Sequence, residues 1–159
     1  VLDDTYKEYL FTFNNIHPAT DDEFFTFNLS VDTGSNYNVT KTTTFFNAEH
    51  REDGGDTNYD YQTSRDLAQS TDFQNISRQM GNNNDDSCSG HLHLFNPSST
   101  TFVKHFISTV NDARKSANPY SQHCFMAGYG NTTSAVDAIQ FKQSSGNIDA
   151  GDICLYGIK

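Results

Sequence analysis

Hydrophobic and polar positions alternate along much of the chain, which predicts strands with one face in a core and one in water. The clearest run is residues 25–31, where Phe25, Phe27, Leu29 and Val31 alternate with Thr26, Asn28, Ser30 and Asp32. Tyr9, Phe11 and Phe13 do the same within residues 6–14. Further strands are expected at 39–46, 91–95, 101–110, 123–129 and 136–143. Phe102, Val103, Phe106 and Ile107 make 101–110 apolar enough for a central position. The closing residues 138–159 read as two strands around a polar turn, with Ile139 and Phe141, then Ile153 and Leu155, facing a core. On this reading the chain ends on a core strand of a terminal hairpin.

Between these runs lie stretches that predict loops. Residues 15–22 contain Pro18, which interrupts regular pairing. Residues 33–36 form a turn, and 47–60 a long exposed loop around Asp53-Gly54-Gly55-Asp56. Residues 81–87 are polar, and 111–121 read as a charged loop containing Pro119. Residues 66–80 are ambiguous, since Leu67, Phe73, Ile76 and Met80 would also suit a short helix.

Composition strengthens the β reading. The 159 residues include 13 Phe and 8 Tyr but no Trp, and aromatic and threonine side chains favour pleated surfaces. Abundant Asn, Asp, Ser and Gly favour turns over helices. The expected fold is a single all-β domain, an antiparallel, jelly-roll-like β-sandwich with long polar loops. The chain begins at Val1, which suggests part of a longer polypeptide.

Charge removes several classes of partner. With 20 Asp and Glu against 10 Lys and Arg, the formal net charge is -10. Binding to nucleic acid needs clustered cations, so it is not expected, and no apolar run reaches the length of a membrane span. Cys88, Cys124 and Cys154 are odd in number and widely spaced, which predicts free thiols rather than a disulfide framework or a zinc site.

Candidate chemistry is sparse. His91 and His93 share a strand face and would need His105 or His123 as a third ligand. Neutral imidazoles on a sheet surface explain them as well, so no metal is expected. The acidic stretches at 21–23, 52–56 and 85–86 match no calcium-loop pattern and read as solvated charge. No nucleophile elbow is present, and His123 and Cys124 point to opposite faces of a strand. The reading is a non-enzyme without a cofactor. Tyr37, Tyr59 and Tyr61 lie among Asn, Ser and Gly, the mixture of rings and adaptable polar groups found in binding loops. They are the candidate ligand-binding residues.

Three segments carry a resemblance: residues 15–22 (NIHPATDD), 94–107 (LFNPSSTTFVKHFI) and 138–159 (AIQFKQSSGNIDAGDICLYGIK). In this order they resemble virion structural, tail-fibre-like proteins of tailed marine bacteriophages, of cyanophage and pelagiphage type, along almost the whole chain. The resemblance implies a β-rich module on the particle surface, assembling with its own copies as a trimer and with other virion proteins. It implies host attachment by a fibre or fibre-like domain, or alternatively decoration of the capsid. A lectin-like module for host surface glycan is the reading from a different class. The resemblance carries no assigned functional residues.

Overall fold

A computed structural model describes residues 2–114 and 117–159. Ten strands follow one another: β1 Glu8–Pro18, β2 Phe25–Ser30, β3 Lys41–Arg51, β4 Thr57–Tyr61, β5 Gln74–Asn75, β6 Cys88–Phe95, β7 Lys104–Arg114, β8 Tyr120–Gly130, β9 Ala138–Gln143 and β10 Ile148–Ile158. They form two antiparallel sheets packed as a sandwich, one in the order β10-β1-β6-β7-β8-β3-β4, the other β5-β2-β9. The strands divide seven to three, whereas a regular jelly roll distributes eight over its two sheets. The described residues contain no helix.

Alternation places the core where the sequence puts it. Tyr9, Phe11 and Phe13 of β1, Leu92 and Leu94 of β6, Phe106 and Val110 of β7, and Phe45 of β3 face inward onto Phe25, Phe27 and Leu29 of β2. Phe141 of β9 joins the layers, with Phe11 and Phe13 edge-on at 5.2 Å and Phe25 stacked at 5.7 Å. Such ring pairs add to the area they bury. At one end of the sandwich Lys41 and Lys104 are fully buried and both register with Gly130. Lys41 donates to Asn28 Oδ1 at 2.5 Å and the Val39 carbonyl at 2.8 Å, while Lys104 donates to the Ser99 and Phe102 carbonyls. These ammonium groups tie the loop carbonyls to the ends of β3 and β7.

Several sequence expectations are corrected. Residues 47–60 are not a loop: β3 runs on to Arg51 and turns into β4 through Asp53 and Gly54, whose φ is +74°. The segment looked polar because both strands there have little apolar layer opposite them. For the same reason 111–121 is mostly strand, the end of β7 and the start of β8, with residues 115 and 116 outside the described part. Residues 66–80 form an irregular cover containing only β5, not a helix. The stretch 15–18 belongs to β1, which resumes after a bulge at Asn15, where φ is +50°.

The largest correction concerns the closing residues. β9 and β10 are not a hairpin: β9 pairs with β2 in the small sheet, and β10 pairs with β1 at the edge of the large one. Ile153 and Leu155 do point to the inner side, but they are 41% and 46% exposed. A three-stranded sheet is too narrow to cover the seventh strand of its partner. Val31 is likewise exposed, beyond the end of β2, and Phe102 lies in the loop before β7.

Candidate functional site

Among the described residues, the outer face of the seven-stranded sheet has no second layer over it. Because β-strand side chains alternate, the residues between the core positions all emerge on this side. From β10 it carries Tyr156 and Ile158, from β1 Leu10, from β6 His91, His93 and Phe95, and from β7 His105 and Ile107. β8 adds His123, Phe125 and Tyr129, β3 adds Phe46 and His50, and β4 adds Tyr59 and Tyr61. Five of the six histidines therefore share one surface.

The rings on this face touch one another across the strands. Phe46 stacks on Phe125 at 4.9 Å, His123 lies 4.1 Å from Phe125, and Tyr59 is 5.7 Å from Phe46. These four form a raised ridge over β4, β3 and β8. Beside it the sheet dips into a hollow of about 440 Å³, floored by Ala127 and Gly128 and walled by Thr42, Thr44, His105, Ile107 and Tyr129. Gly128 contributes only backbone to the floor, since its Cβ direction is inward, where a Cβ would meet the Thr42 carbonyl at 2.5 Å, Thr43 Cγ2 at 2.7 Å and the Phe106 ring at 3.0 Å. His105 and Tyr129 close one wall, with ring centroids 6.1 Å apart.

Charge is nearly absent from the surface. Glu8 and Asp152 lie near its β10 edge, and Asp66 accepts the Tyr61 hydroxyl at 2.7 Å on the β4 rim. Glu8 is hydrogen-bonded to His93 Nδ1. No outward position on these strands is Lys or Arg. Burial and the neighbouring His93 hold the His91 imidazole below its ordinary range, favouring the neutral ring.

The three candidate tyrosines do not form one site. Tyr59 and Tyr61 stand side by side on β4, with Tyr59 70% exposed. Tyr37 lies at the opposite edge of the sandwich, in a hollow it shares with Ile139 and Leu155 of β10. Its backbone carbonyl accepts the buried Asn28 side chain. Sequence proximity to polar loops grouped the tyrosines, but the strand order separates them by the full width of the large sheet.

His91 and His93 are neighbours, with ring centroids 5.3 Å apart. The third ligands imagined for them turn elsewhere, His105 toward Tyr129 and His123 onto Phe125. Among the described residues no three His, Cys, Asp or Glu side chains converge as a metal-binding group. Asp85, Asp86 and Asp149 border a separate hollow, where Asp149 accepts from His17 at 2.6 Å and Asp86 from Asn83 at 2.9 Å. The Asp149 carboxylate and the Asn83 backbone carbonyl, each hydrogen-bonded to one ring nitrogen of His17, raise its pKa.

Inside the sandwich, a polar cluster occupies the end covered by residues 62–87. Asp112 accepts from the Arg78 backbone N–H at 2.8 Å and from the Cys124 thiol at 3.3 Å. Glu49 accepts from Gln122 at 2.6 Å and faces Arg78 at 3.5 Å. Burial pushes Asp112 up to about 7 and raises the Cys88 and Cys124 thiols well above their ordinary range. All three cysteines are free, two buried and Cys154 half-buried. Buried neutral thiols are poor nucleophiles.

The ridge residues Phe46 and Phe125 and the hollow residue Ile107 were missed as surface groups. Their signal was present as phase: Ile107 follows the inward Phe106, and Phe46 follows the inward Phe45, so one of each pair must point outward. No protein-family model, curated protein or solved structure matches the chain.

Proposed function

We propose that this domain is a non-enzymatic structural module of a bacteriophage virion, a tail-fibre or fibre-like element that assembles with other copies and serves host attachment. The observation that carries the assembly half of this reading is the uncovered outer sheet face, rich in rings and nearly free of charge. Isolated surface apolar groups are ordinary, but a contiguous field of them marks an interaction surface. The phage half rests on the resemblance of residues 15–22, 94–107 and 138–159 to virion proteins.

The experiment is antibody labelling of purified particles. Label on the fibres is the expected result, and label on the capsid shell assigns the module to decoration instead. Particles that contain no trace of the chain by mass spectrometry overturn the virion reading.

A second reading is favoured by a separate observation, the exposed Tyr59 ring beside Phe46. Aromatic platforms flanked by hydroxyls suit the apolar face of a neutral sugar. Host polysaccharide binding that disappears in Tyr59→Ala and persists in Tyr37→Ala supports a glycan site at β4. A glycan array without signal, with or without calcium, removes it.

A further inference from the structure

The outer face has the size, the charge pattern and the relief to receive a second copy of itself, and we propose that two chains pair through it, sheet against sheet. This names the partner for the assembly reading above and rests on that reading.

Size comes first. Five strands of 11 residues, one of 8 and one of 5, at ~3.3 Å per residue and ~4.8 Å spacing, give a footprint of about 1,000 Å². A stable interface buries roughly 800 Å² of accessible surface on each partner. The footprint of the face meets that requirement.

Charge selects the occupant. Each chain carries a formal net charge of -10, yet the outward positions hold only Glu8 and Asp152, both near the β10 edge. A basic partner would be drawn to the acidic loops, not to this face. An uncharged partner surface matches it, and the same face of another copy is one. Pairing the two faces leaves the acidic loops in solvent on the outside of the assembly.

Relief sets the geometry. The Phe46–Phe125 ridge lies one rank of side chains from the hollow floored by Ala127, because Phe125 and Ala127 are successive outward positions of β8. A twofold axis between them sets the ridge of each copy into the hollow of the other. Each contact is thereby made twice, the signature of an isologous interface. The two sheets would stack at about 10 Å, the ordinary spacing of facing sheets.

The test is the solution mass of the isolated chain by sedimentation equilibrium. The wild-type chain is expected to be a dimer at ~10 μM. Ala127→Arg fills the hollow with a charge, and Ile107→Lys, at a 51% exposed wall position, charges its rim. Both should yield monomers with unchanged circular dichroism, while Val31→Lys, away from the face, stays dimeric. A wild-type chain that remains monomeric at ~100 μM overturns the inference. So does an oligomer that both hollow variants leave intact. Either failure leaves the particle-labelling result untouched, and a dimer absent from particles would instead defeat the virion reading alone.

Discussion

Asp112 shows how one residue can make stability depend on pH. Its Oδ1 is buried without a hydrogen-bond partner, so burial favours the protonated acid and its pKa rises from 3.8 to about 7. The folded chain therefore holds a proton that the unfolded chain releases near pH 4. The associated stabilisation is complete below pH 4 and is lost as pH rises to about 7. Relative to Asp112→Asn, the wild type should lose up to about 4 kcal/mol between pH 4 and pH 7.5, read from urea unfolding at each pH. A parallel pH dependence in the two proteins would show that Asp112 is ionised in the fold. Gly90 makes a steric statement at the same scale. A Cβ there would lie 2.3 Å from the Thr109 carbonyl and 2.7 Å from Val110 Cα, both backbone atoms. Gly90→Ala should lower stability by about 1–3 kcal/mol through strained β6–β7 pairing, measurable as a lowered urea midpoint.

At the scale of elements, the small sheet is held mainly by rings. Phe141 of β9 contacts Phe11 and Phe13 of β1 and stacks on Phe25 of β2, so it links both layers. Phe141→Ala should cost about 2–3 kcal/mol, under the range for a fully enclosed ring because Phe141 is only half-buried. Hydrogen exchange checks the location of the loss: β2 and β9 amides should lose protection before those of β6 and β7. Elements also show what was legible beforehand. Residues 25–31 and 6–14 announced their strands through a period of two, but β2 is buried on both faces, enclosing Thr26, Asn28 and Ser30, while Val31 is exposed. The β3–β4 hairpin and the end of β7 did not announce theirs, because their inward positions, including Asn47, Glu49, Asp112 and Gln122, are polar. They are buried by hydrogen bonds among themselves and with Arg78, a tertiary arrangement that leaves no apolar rhythm in the sequence.

On the scale of the whole molecule, the uncharged outer face makes its pairing sensitive to acid. The titratable groups facing it are His50, His91, His93, His105 and His123, with Glu8 and Asp152 at one edge and Asp66 at the other. Among the described residues, Lys and Arg are absent from the face. Imidazole is the side chain whose charge ordinarily changes between pH 5 and pH 8, and burial with the neighbouring His93 lowers the His91 pKa. Self-association should weaken about tenfold or more between pH 8 and pH 5, followed by sedimentation equilibrium. Whole-chain charge predicts the opposite, since approach to the pI of 4.7 relieves repulsion between copies. Tighter association at pH 5 would therefore place the contact outside the histidine face.

Alternation along the chain was enough to assign strands and to say which residues share a side, because the period of two is a local property of extended backbone. It was enough to establish an all-β sandwich with an aromatic core. Which side is covered depends on the opposing layer, and no local pattern records its width. Ile153 and Leu155 repeat the rhythm of Phe11 and Phe13, yet three strands packed on seven leave β10 beyond the cover. Phe46, Phe125 and Ile107 are as apolar as their buried neighbours, but they face the side on which no second sheet was built. The grouping of Tyr59 with Phe46, and its separation from Tyr37, follows from strand order alone, and strand order is decided by long-range pairing.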